Sequence, residues 1–284
     1  MLRLLWMDRL RGAAMIAVVV LHAELSVRAA SGHDLPLVHA VNGLLAPYRM
    51  PLLVALSGVL LTPALAKPWR SYLRGKVRAL LWPYLVWVTL DTAYVAARAG
   101  GLGWDYVAHL AYDPKTYLWF LAYLFVFYVV SLALPSWLRI AGGPLVLALA
   151  WQADPTADWH KLAWLLGWFL VGDTLGRVVR RWLRPAPVPP RDVLGFVGRN
   201  SLVFYVSHLI VIIFVTDLGA WLGVGSAALL FVLAVAVPLV VGTMLVHARG
   251  HSVVDALFAW PSRTMLQPAD GPKGMAPSVT GYGA

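Results

Sequence analysis

The first apolar segment contains an arginine, Arg11, and a histidine, His22, which could accept a proton. The stretch from Asp8 to His22 reads D-R-L-R-G-A-A-M-I-A-V-V-V-L-H, with charge at its start and a histidine at its end. Arg11 and His22 are eleven positions apart, and at about 100° per residue this spacing returns to within roughly 20° of the same helix face. An ionisable group deep in hydrocarbon is costly and is usually retained for chemistry or transport. A positive flank followed by one tolerated histidine is the alternative interpretation.

The second apolar segment contains an arginine within an otherwise hydrophobic run. The sequence from Tyr48 to Gly58 reads Y-R-M-P-L-L-V-A-L-S-G and includes Ser57. Arg49 stays protonated, so at this depth it needs an anionic or dipolar partner. Asp91, in the next apolar segment, is the expected counter-ion for Arg49 or His22. Snorkelling of the Arg49 side chain to the outer interface is the alternative.

A second histidine lies near the C-terminal end of the chain. Ser201, Tyr205 and His208 in R-N-S-L-V-F-Y-V-S-H follow i, i+4, i+7, so they are predicted to share one helix face with His208 at a depth similar to that of His22. Glu24 is two residues from His22, about 200° around a helix, and is therefore predicted to lie outside the site. The aromatic run that contains Trp119 is explained equally well by packing.

The composition indicates a polytopic membrane protein. Of the 284 residues, 60% are hydrophobic and only 13% are charged, whereas soluble domains carry about a quarter charged residues. The net charge of +10 does not indicate a nucleic-acid binder, because the basic residues lie in short connections between apolar segments. The absence of cysteine excludes disulfides, thiolate metal sites and cysteine nucleophiles.

The apolar segments predict an all-α bundle of about eight, and up to about ten, transmembrane helices. With a cytoplasmic N-terminus, eighteen Lys and Arg residues fall in inner connections and four in outer ones, so both termini are predicted to be cytoplasmic. Residues 1–260 form the predicted membrane domain, and the Pro- and Gly-rich residues 261–284 a disordered tail. A cleaved signal peptide is disfavoured because His22 and Glu24 interrupt its apolar core. The predicted spans lie at roughly 10–28, 41–62, 79–97, 117–134, 144–152, 161–176, 201–216 and 226–247.

Five motifs in order resemble the integral-membrane acyltransferase 3 superfamily, which O-acylates cell-surface and secreted glycans. They are D-R-L-R-G-A-A followed by His22, R-M-P-L-L-V-A-L-S-G, R-A-L-L-W-P-Y, Y-L-W-F-L-A-Y-L-F and N-S-L-V-F-Y-V-S-H. The resemblance covers the chain from about residue 5 to about residue 260. It departs from the family in having fewer spans, in having Lys67 where an acidic residue often precedes Arg70, and in lacking an esterase-like domain after the membrane part.

The resemblance implies transfer of an acyl group, usually acetyl from acetyl-CoA, to a carbohydrate hydroxyl. It implies that Arg11 and His22 are essential and that Arg49 and Pro51 form the family's second-span element. A histidine with a pKa near 6.5 suits deprotonation of a sugar hydroxyl, so His22 is the predicted general base. Arg49 and Tyr205 are candidates for stabilising the oxyanion, with Asp91, Ser57, Trp119, Ser201 and His208 as supporting or acceptor-binding residues. Arg74, Lys76 and Arg78 are predicted to bind the phosphates of CoA.

Alternative functions and partners follow from the same residues. A transporter or flippase for an anionic or lipid-linked sugar explains buried His, Arg and Asp equally well, although no internal repeat supports alternating access. The sequence contains no Walker-type loop, dinucleotide fingerprint or H-E-x-x-H motif, so neither ATP, NAD nor a metal is predicted. The expected acceptor is a saccharide or lipid-linked glycan at the outer leaflet, and the expected location is the bacterial cytoplasmic membrane.

Overall fold

The predicted all-α membrane bundle is confirmed. The computed structural model describes residues 2–99, 117–157, 159–179 and 185–260. A π-helical turn, Val77–Leu81, joins two of the helices, and β1 (Leu2–Arg3) pairs antiparallel with β2 (Ala186–Pro187). The helices are α1 Leu5–Ser31, α2 Pro36–Gly58, α3 Leu61–Leu65, α4 Trp69–Lys76, α5 Trp82–Ala99, α6 Trp119–Ala133, α7 Ser136–Gln152, α8 His160–Val179, α9 Val193–Arg199, α10 Ser201–Trp221, α11 Ala227–His247 and α12 Ser252–Phe258.

All eight predicted apolar segments lie in helices, although not all are long enough to cross a membrane unaided. In the described part of the chain, six helical stretches meet the length and hydropathy needed for a span: Leu5–Ser31, Pro36–Leu65, Trp69–Ala97, His160–Val179, Ser201–Trp221 and Ala227–His247. Helices α6 and α7 have 15 and 17 residues, somewhat short for a typical bilayer. The predicted tail at 261–284 and the outer connection around Lys115 lie outside the described residues.

Helix α1 lies at the centre of the bundle and contacts α2, α9, α10 and α11. Its backbone approaches α9 so closely that a Cβ on Gly12 would overlap the carbonyl of Leu194, and one on Gly198 would overlap the carbonyl of Asp8. Small residues permit this approach, which supplies the van der Waals contact that holds helices together in lipid. These two glycines therefore set the distance between α1 and α9, the short helix that leads into α10.

One carboxylate, Asp192, binds two arginines and fixes the same end of α1. Asp192 accepts hydrogen bonds from Arg9 at 3.0 Å and Arg199 at 3.3 Å, and it caps α9 by accepting the Gly195 N–H at 3.2 Å. Burial alone would raise the pKa of the Asp192 carboxyl, but these hydrogen bonds outweigh it and hold its pKa below the ordinary value. Together with the β1–β2 pairing, these contacts tie the N-terminus to the segment that precedes α10.

A buried ion cluster joins the other helices around α2 and α8. Asp173 is fully buried and accepts hydrogen bonds from Arg139 at 3.1 Å, Arg177 at 2.9 Å and Thr62 at 2.5 Å. Asp173 and Arg177 are an i, i+4 pair on one face of α8. Since every charged group in this cluster has an opposite charge in contact, the cluster is structural.

Candidate active site

His22 of α1 and His208 of α10 lie against each other, with ring centroids 5.1 Å apart. The His208 ring is 1% exposed, and its Nδ1 lies 2.6 Å from the Tyr205 carbonyl oxygen. A carbonyl only accepts, so the proton of the neutral ring is on Nδ1 and Nε2 carries a lone pair. Within the described part of the chain, Nε2 has no hydrogen-bond partner. The half-buried His22 ring likewise makes no hydrogen bond to a described residue.

Two buried tyrosines form a wall beside His208. The Tyr117 ring is 5.4 Å from the His208 ring in an edge-on arrangement, and the Tyr205 ring is 5.8 Å from it. The Tyr117 hydroxyl donates to the Val206 carbonyl at 2.5 Å, and the Tyr205 hydroxyl donates to the Tyr117 carbonyl. Both phenolic protons are therefore committed to backbone oxygens, which fixes the start of α6 on α10.

The predicted face of α10 is only partly present in the site. Tyr205 and His208 lie together as predicted, but Ser201 is seven residues from His208, about 10 Å along the helix axis. Ser201 therefore does not join the histidine pair. The Trp119 ring instead lies under the Lys161 ammonium, which is 3.3 Å from the ring centroid.

Arg49 is the centre of a buried polar network between α1 and α2. Its guanidinium donates to Asn42 Oδ1 at 3.3 Å, to the Asn42 carbonyl, and to the Ala17 carbonyl at 3.4 Å. Asn42 in turn donates to Glu24 at 2.6 Å, and His39 lies 2.8 Å from the other Glu24 oxygen. Arg49 and Glu24 interact electrostatically, and the charge of Arg49 also acts on His22. The network therefore places a positive charge beside the histidine pair.

The counter-ion that the sequence predicts for this network is wrong. Asp91 is buried, but it forms no ion pair with Arg49 or His22. The carboxylate that belongs to the Arg49 network is Glu24, which is only 3% exposed. The predicted 200° separation of Glu24 from His22 is sound, but the opposite side of α1 faces α2 and is buried as well. The sequence feature that could have identified Glu24 is a carboxylate inside the apolar segment that precedes the segment with Arg49.

Arg11 contacts the opposite end of α2. Its guanidinium donates to the Leu56 carbonyl at 3.0 Å, close to the C-terminal end of that helix, where carbonyl dipoles favour a cation. The neighbouring Ser57 hydroxyl donates to the Leu53 carbonyl of its own helix at 2.9 Å, while the Ser57 carbonyl accepts the Tyr128 hydroxyl at 3.0 Å. The Ser57 hydroxyl thus serves its own helix, and the predicted supporting role remains a prediction.

The three basic residues predicted to bind CoA phosphates do not form one site. The Lys76 ammonium is 3.3 Å from the centroid of the Tyr128 ring, and the like charges of Lys67 and Arg11 act on it. Arg74 and Arg78 instead line a groove on the outside of α4, together with Arg70. Residues two positions apart lie on roughly opposite sides of a helix. Lys76 therefore faces the bundle interior, and the two arginines face away from it.

The donor set of the core does not resemble a metal centre. Among the described residues, no group of three or more His, Asp or Glu side chains is arranged to hold a metal ion. The core instead offers two imidazoles and one guanidinium, a combination suited to proton transfer and anion stabilisation.

Comparison with known families identifies the chain. The sequence model of the acyltransferase 3 family, described as an acyltransferase domain, matches residues 4–151, slightly more than half of the 284 residues. Comparisons with curated proteins and with solved structures gave no significant match. The matched region includes Arg11, His22 and Arg49, whereas Tyr205 and His208 lie beyond it. This match and the apolar helices show that the chain belongs to the acyltransferase 3 family and is an integral-membrane acyltransferase.

Proposed function

We propose that this acyltransferase transfers an acyl group, with acetyl as the expected case, from cytoplasmic acyl-CoA to a carbohydrate hydroxyl, using His22 as the general base. The observation that carries the proposal is the His22 ring itself, which faces His208, lies within reach of the charge of Arg49 and makes no hydrogen bond to a described residue. A ring whose nitrogens are not engaged by any described residue can take a proton from an acceptor hydroxyl.

The transfer step requires one base and one oxyanion stabiliser. In the proposed reaction, a ring nitrogen of His22 takes the proton of the acceptor hydroxyl as its oxygen attacks the thioester carbonyl carbon. The tetrahedral intermediate collapses, the carbon–sulfur bond breaks, and the imidazolium returns the proton to the departing CoA thiolate. General acid–base catalysis of this kind contributes about 10²–10⁴-fold to rate.

Arg49 is the proposed oxyanion stabiliser. A guanidinium has five N–H donors, and the contacts to Asn42 and Ala17 use only some of them. The network with Asn42 and Glu24 holds the guanidinium in place before substrate arrives, so little reorganisation is needed when negative charge develops. Because the Tyr205 hydroxyl donates to the Tyr117 carbonyl, Arg49 is the better candidate for this role.

His208 is proposed to set the tautomer of His22. Its Nε2 lone pair is buried and unpartnered in the described structure, so it can accept the N–H of the adjacent His22 ring. The other His22 nitrogen would then carry the lone pair that faces the acceptor hydroxyl. A neighbouring group that fixes the tautomer and stabilises the imidazolium is the role that a carboxylate plays in a catalytic triad.

The donor and acceptor are proposed to approach the histidine pair from opposite sides. Arg11 and His22 are about 16 Å apart along α1, roughly half of the hydrocarbon thickness. Lys76 and Arg11 share the interior side of the inner end, which makes Lys76 the proposed phosphate ligand of CoA, with Arg74 and Arg78 contributing positive potential outside α4. A thioester reaching inward from there would meet a hydroxyl of a saccharide or lipid-linked glycan from the outer leaflet.

Two further points complete the proposal. The prevalence of basic residues in the inner connections supports insertion in a bacterial cytoplasmic membrane with both termini inside. Family membership favours group transfer over the transporter or flippase interpretation of the same buried residues.

The test is acyl transfer by purified His22→Ala protein in nanodiscs with labelled acetyl-CoA and a mixed saccharide acceptor. We expect transfer to be lost while acetyl-CoA still binds, because the proposed base is absent and the inner basic residues remain. His33→Ala is the matched control, since His33 is exposed and, among the described residues, forms its hydrogen bonds with Ser31. Wild-type turnover by folded His22→Ala protein would contradict the assignment, and unchanged acetyl-CoA binding together with lost transfer would support it.

A further inference from the structure

A groove runs along the side of α4 that faces away from the bundle interior, separate from the histidine core. Its volume is about 570 Å³, and it is lined by Trp69, Arg70, Leu73, Arg74, Val77, Arg78 and Trp260. Leu73 and Val77 contribute apolar lining, the three arginines supply the charge, and the two tryptophans complete the lining. Since Lys76 points to the opposite side of the same helix, towards Tyr128, the groove is distinct from the proposed donor entrance.

The wall formed by Trp260 is held in place by specific contacts. The Trp260 ring lies edge-on to Trp82 with centroids 4.7 Å apart, and the Trp82 indole N–H donates to the Ala256 carbonyl at 2.7 Å. Trp87 fixes the next residue by donating to the Leu257 carbonyl at 2.9 Å. Two indole hydrogen bonds from α5 therefore secure the segment that closes the groove, so the cavity is preformed.

The charge in the groove is not neutralised within the described structure. None of its seven lining residues is acidic, and Arg70, Arg74 and Arg78 form no ion pair with a described residue. The contact that Arg70 makes is with the Trp69 ring, 5.3 Å from its centroid. Guanidinium groups at the edge of an apolar cleft match a molecule that carries a phosphate next to a hydrocarbon chain.

We propose that this groove binds an anionic phospholipid, with the headgroup phosphate held by Arg74 and Arg78 and the first part of an acyl chain on Leu73 and Val77. The arginines lie in the first part of the membrane-spanning stretch Trp69–Ala97, at its predicted cytoplasmic end, where anionic headgroups are found. Tryptophan at both walls fits the headgroup level of the bilayer. The bound lipid would brace α4, the helix whose other side carries Lys76.

The experiment titrates fluorescent phosphatidylglycerol against the full-length protein in phosphatidylcholine nanodiscs. Each of Arg74→Gln and Arg78→Gln should weaken binding about fivefold, the change that corresponds to about 1 kcal/mol per basic residue near an anionic surface. Arg191→Gln is the matched control, because Arg191 is exposed, lies on the same predicted side and is outside the groove; it should leave binding unchanged.

Two further measurements separate a built site from general attraction. Trp260→Ala keeps every charge but removes one wall, so the groove predicts weaker binding, whereas purely electrostatic attraction predicts no change. Acetyl-CoA is added as a competitor, and a lipid site should not be displaced by it. Equal loss in Arg191→Gln, full binding in Trp260→Ala, or displacement by acetyl-CoA would each overturn the proposal. These results do not depend on the His22 assignment, because lipid binding is measured without turnover.

Discussion

The sharpest test of the proposed chemistry is a pair of substitutions at His208. The ring has two separate functions in the structure: Nδ1 donates to the Tyr205 carbonyl at 2.6 Å, and Nε2 offers an unpartnered lone pair beside His22. In His208→Asn, the side-chain amide can still donate at the Nδ1 position, but the acceptor at Nε2 is gone. In His208→Gln, the longer side chain can place an amide oxygen near Nε2, so the acceptor is kept.

The expected size of the effect follows from the lost contact. A hydrogen bond to a charged group, here the His22 imidazolium formed during transfer, is worth about 1.5–3 kcal/mol. At 1.36 kcal/mol for each tenfold change in rate, removing it lowers kcat about 10- to 150-fold. The interaction forms as the proton moves, so KM for donor and acceptor should change little. His208→Gln should recover a substantial part of the loss.

The assay is steady-state acyl transfer by the purified variants in nanodiscs, with the folded fraction of each measured separately. A purely structural role for His208 predicts the opposite order, because Asn preserves the hydrogen bond to Tyr205 and Gln does not. The reasoning is refuted if His208→Asn turns over at least as fast as His208→Gln, or if the loss lies wholly in KM.

Three other predictions concern packing, pH and sidedness. Gly198→Ala should destabilise the protein by about 1–3 kcal/mol through overpacking, measured as a lower Tm in detergent. Gly43→Ala should not lower the Tm, because no atom lies within 4 Å of its added Cβ. Equal Tm values for the two variants would contradict the close α1–α9 contact. Folding lowers the pKa of Asp192. Its contribution to stability should therefore be complete above the unfolded pKa of about 3.9 and be lost as pH falls through the folded pKa. An Asp192→Asn variant should be less stable than wild type at pH 7, and the two stabilities should become equal in acid. In sealed inside-out vesicles given labelled acetyl-CoA, labelled saccharide should appear in the lumen, and product confined to a soluble sugar in the bath would refute transfer across the membrane.

The sequence predicted the helices well because long apolar segments have few alternatives in a bilayer. All eight predicted segments are helical, and six of the described helical stretches are long and apolar enough to cross. The ends of the segments were less accurate: α1 extends from Leu5 to Ser31, beyond the predicted 10–28, since polar residues at both ends continue the helix. Hydropathy detects the hydrocarbon region, not the helical turns that project from it.

The site was predicted in its parts but not in its pairings. The shared depth of His22 and His208 pointed to the pair that the structure brings together. Depth alone does not say which helices are neighbours, so the sequence pairs Asp91 with Arg49 or His22, whereas the carboxylate in the Arg49 network belongs to Glu24. The separation of Lys76 from the arginines follows from the same helical spacing that was applied to Glu24.

The position of α1 has a consequence for how the protein is made. Most of the surfaces that cover this helix, α9, α10 and α11, are synthesised last, more than 160 residues after His22. During translation, α1 is therefore made before these helices, and its Gly12 and His22 contact lipid, α2 or the insertion machinery until they arrive. Contacts this distant in sequence form slowly, and incomplete chains expose the surfaces that cause misassembly. A fragment ending at residue 151 would therefore contain the whole matched family region and still lack the partner that completes the histidine pair.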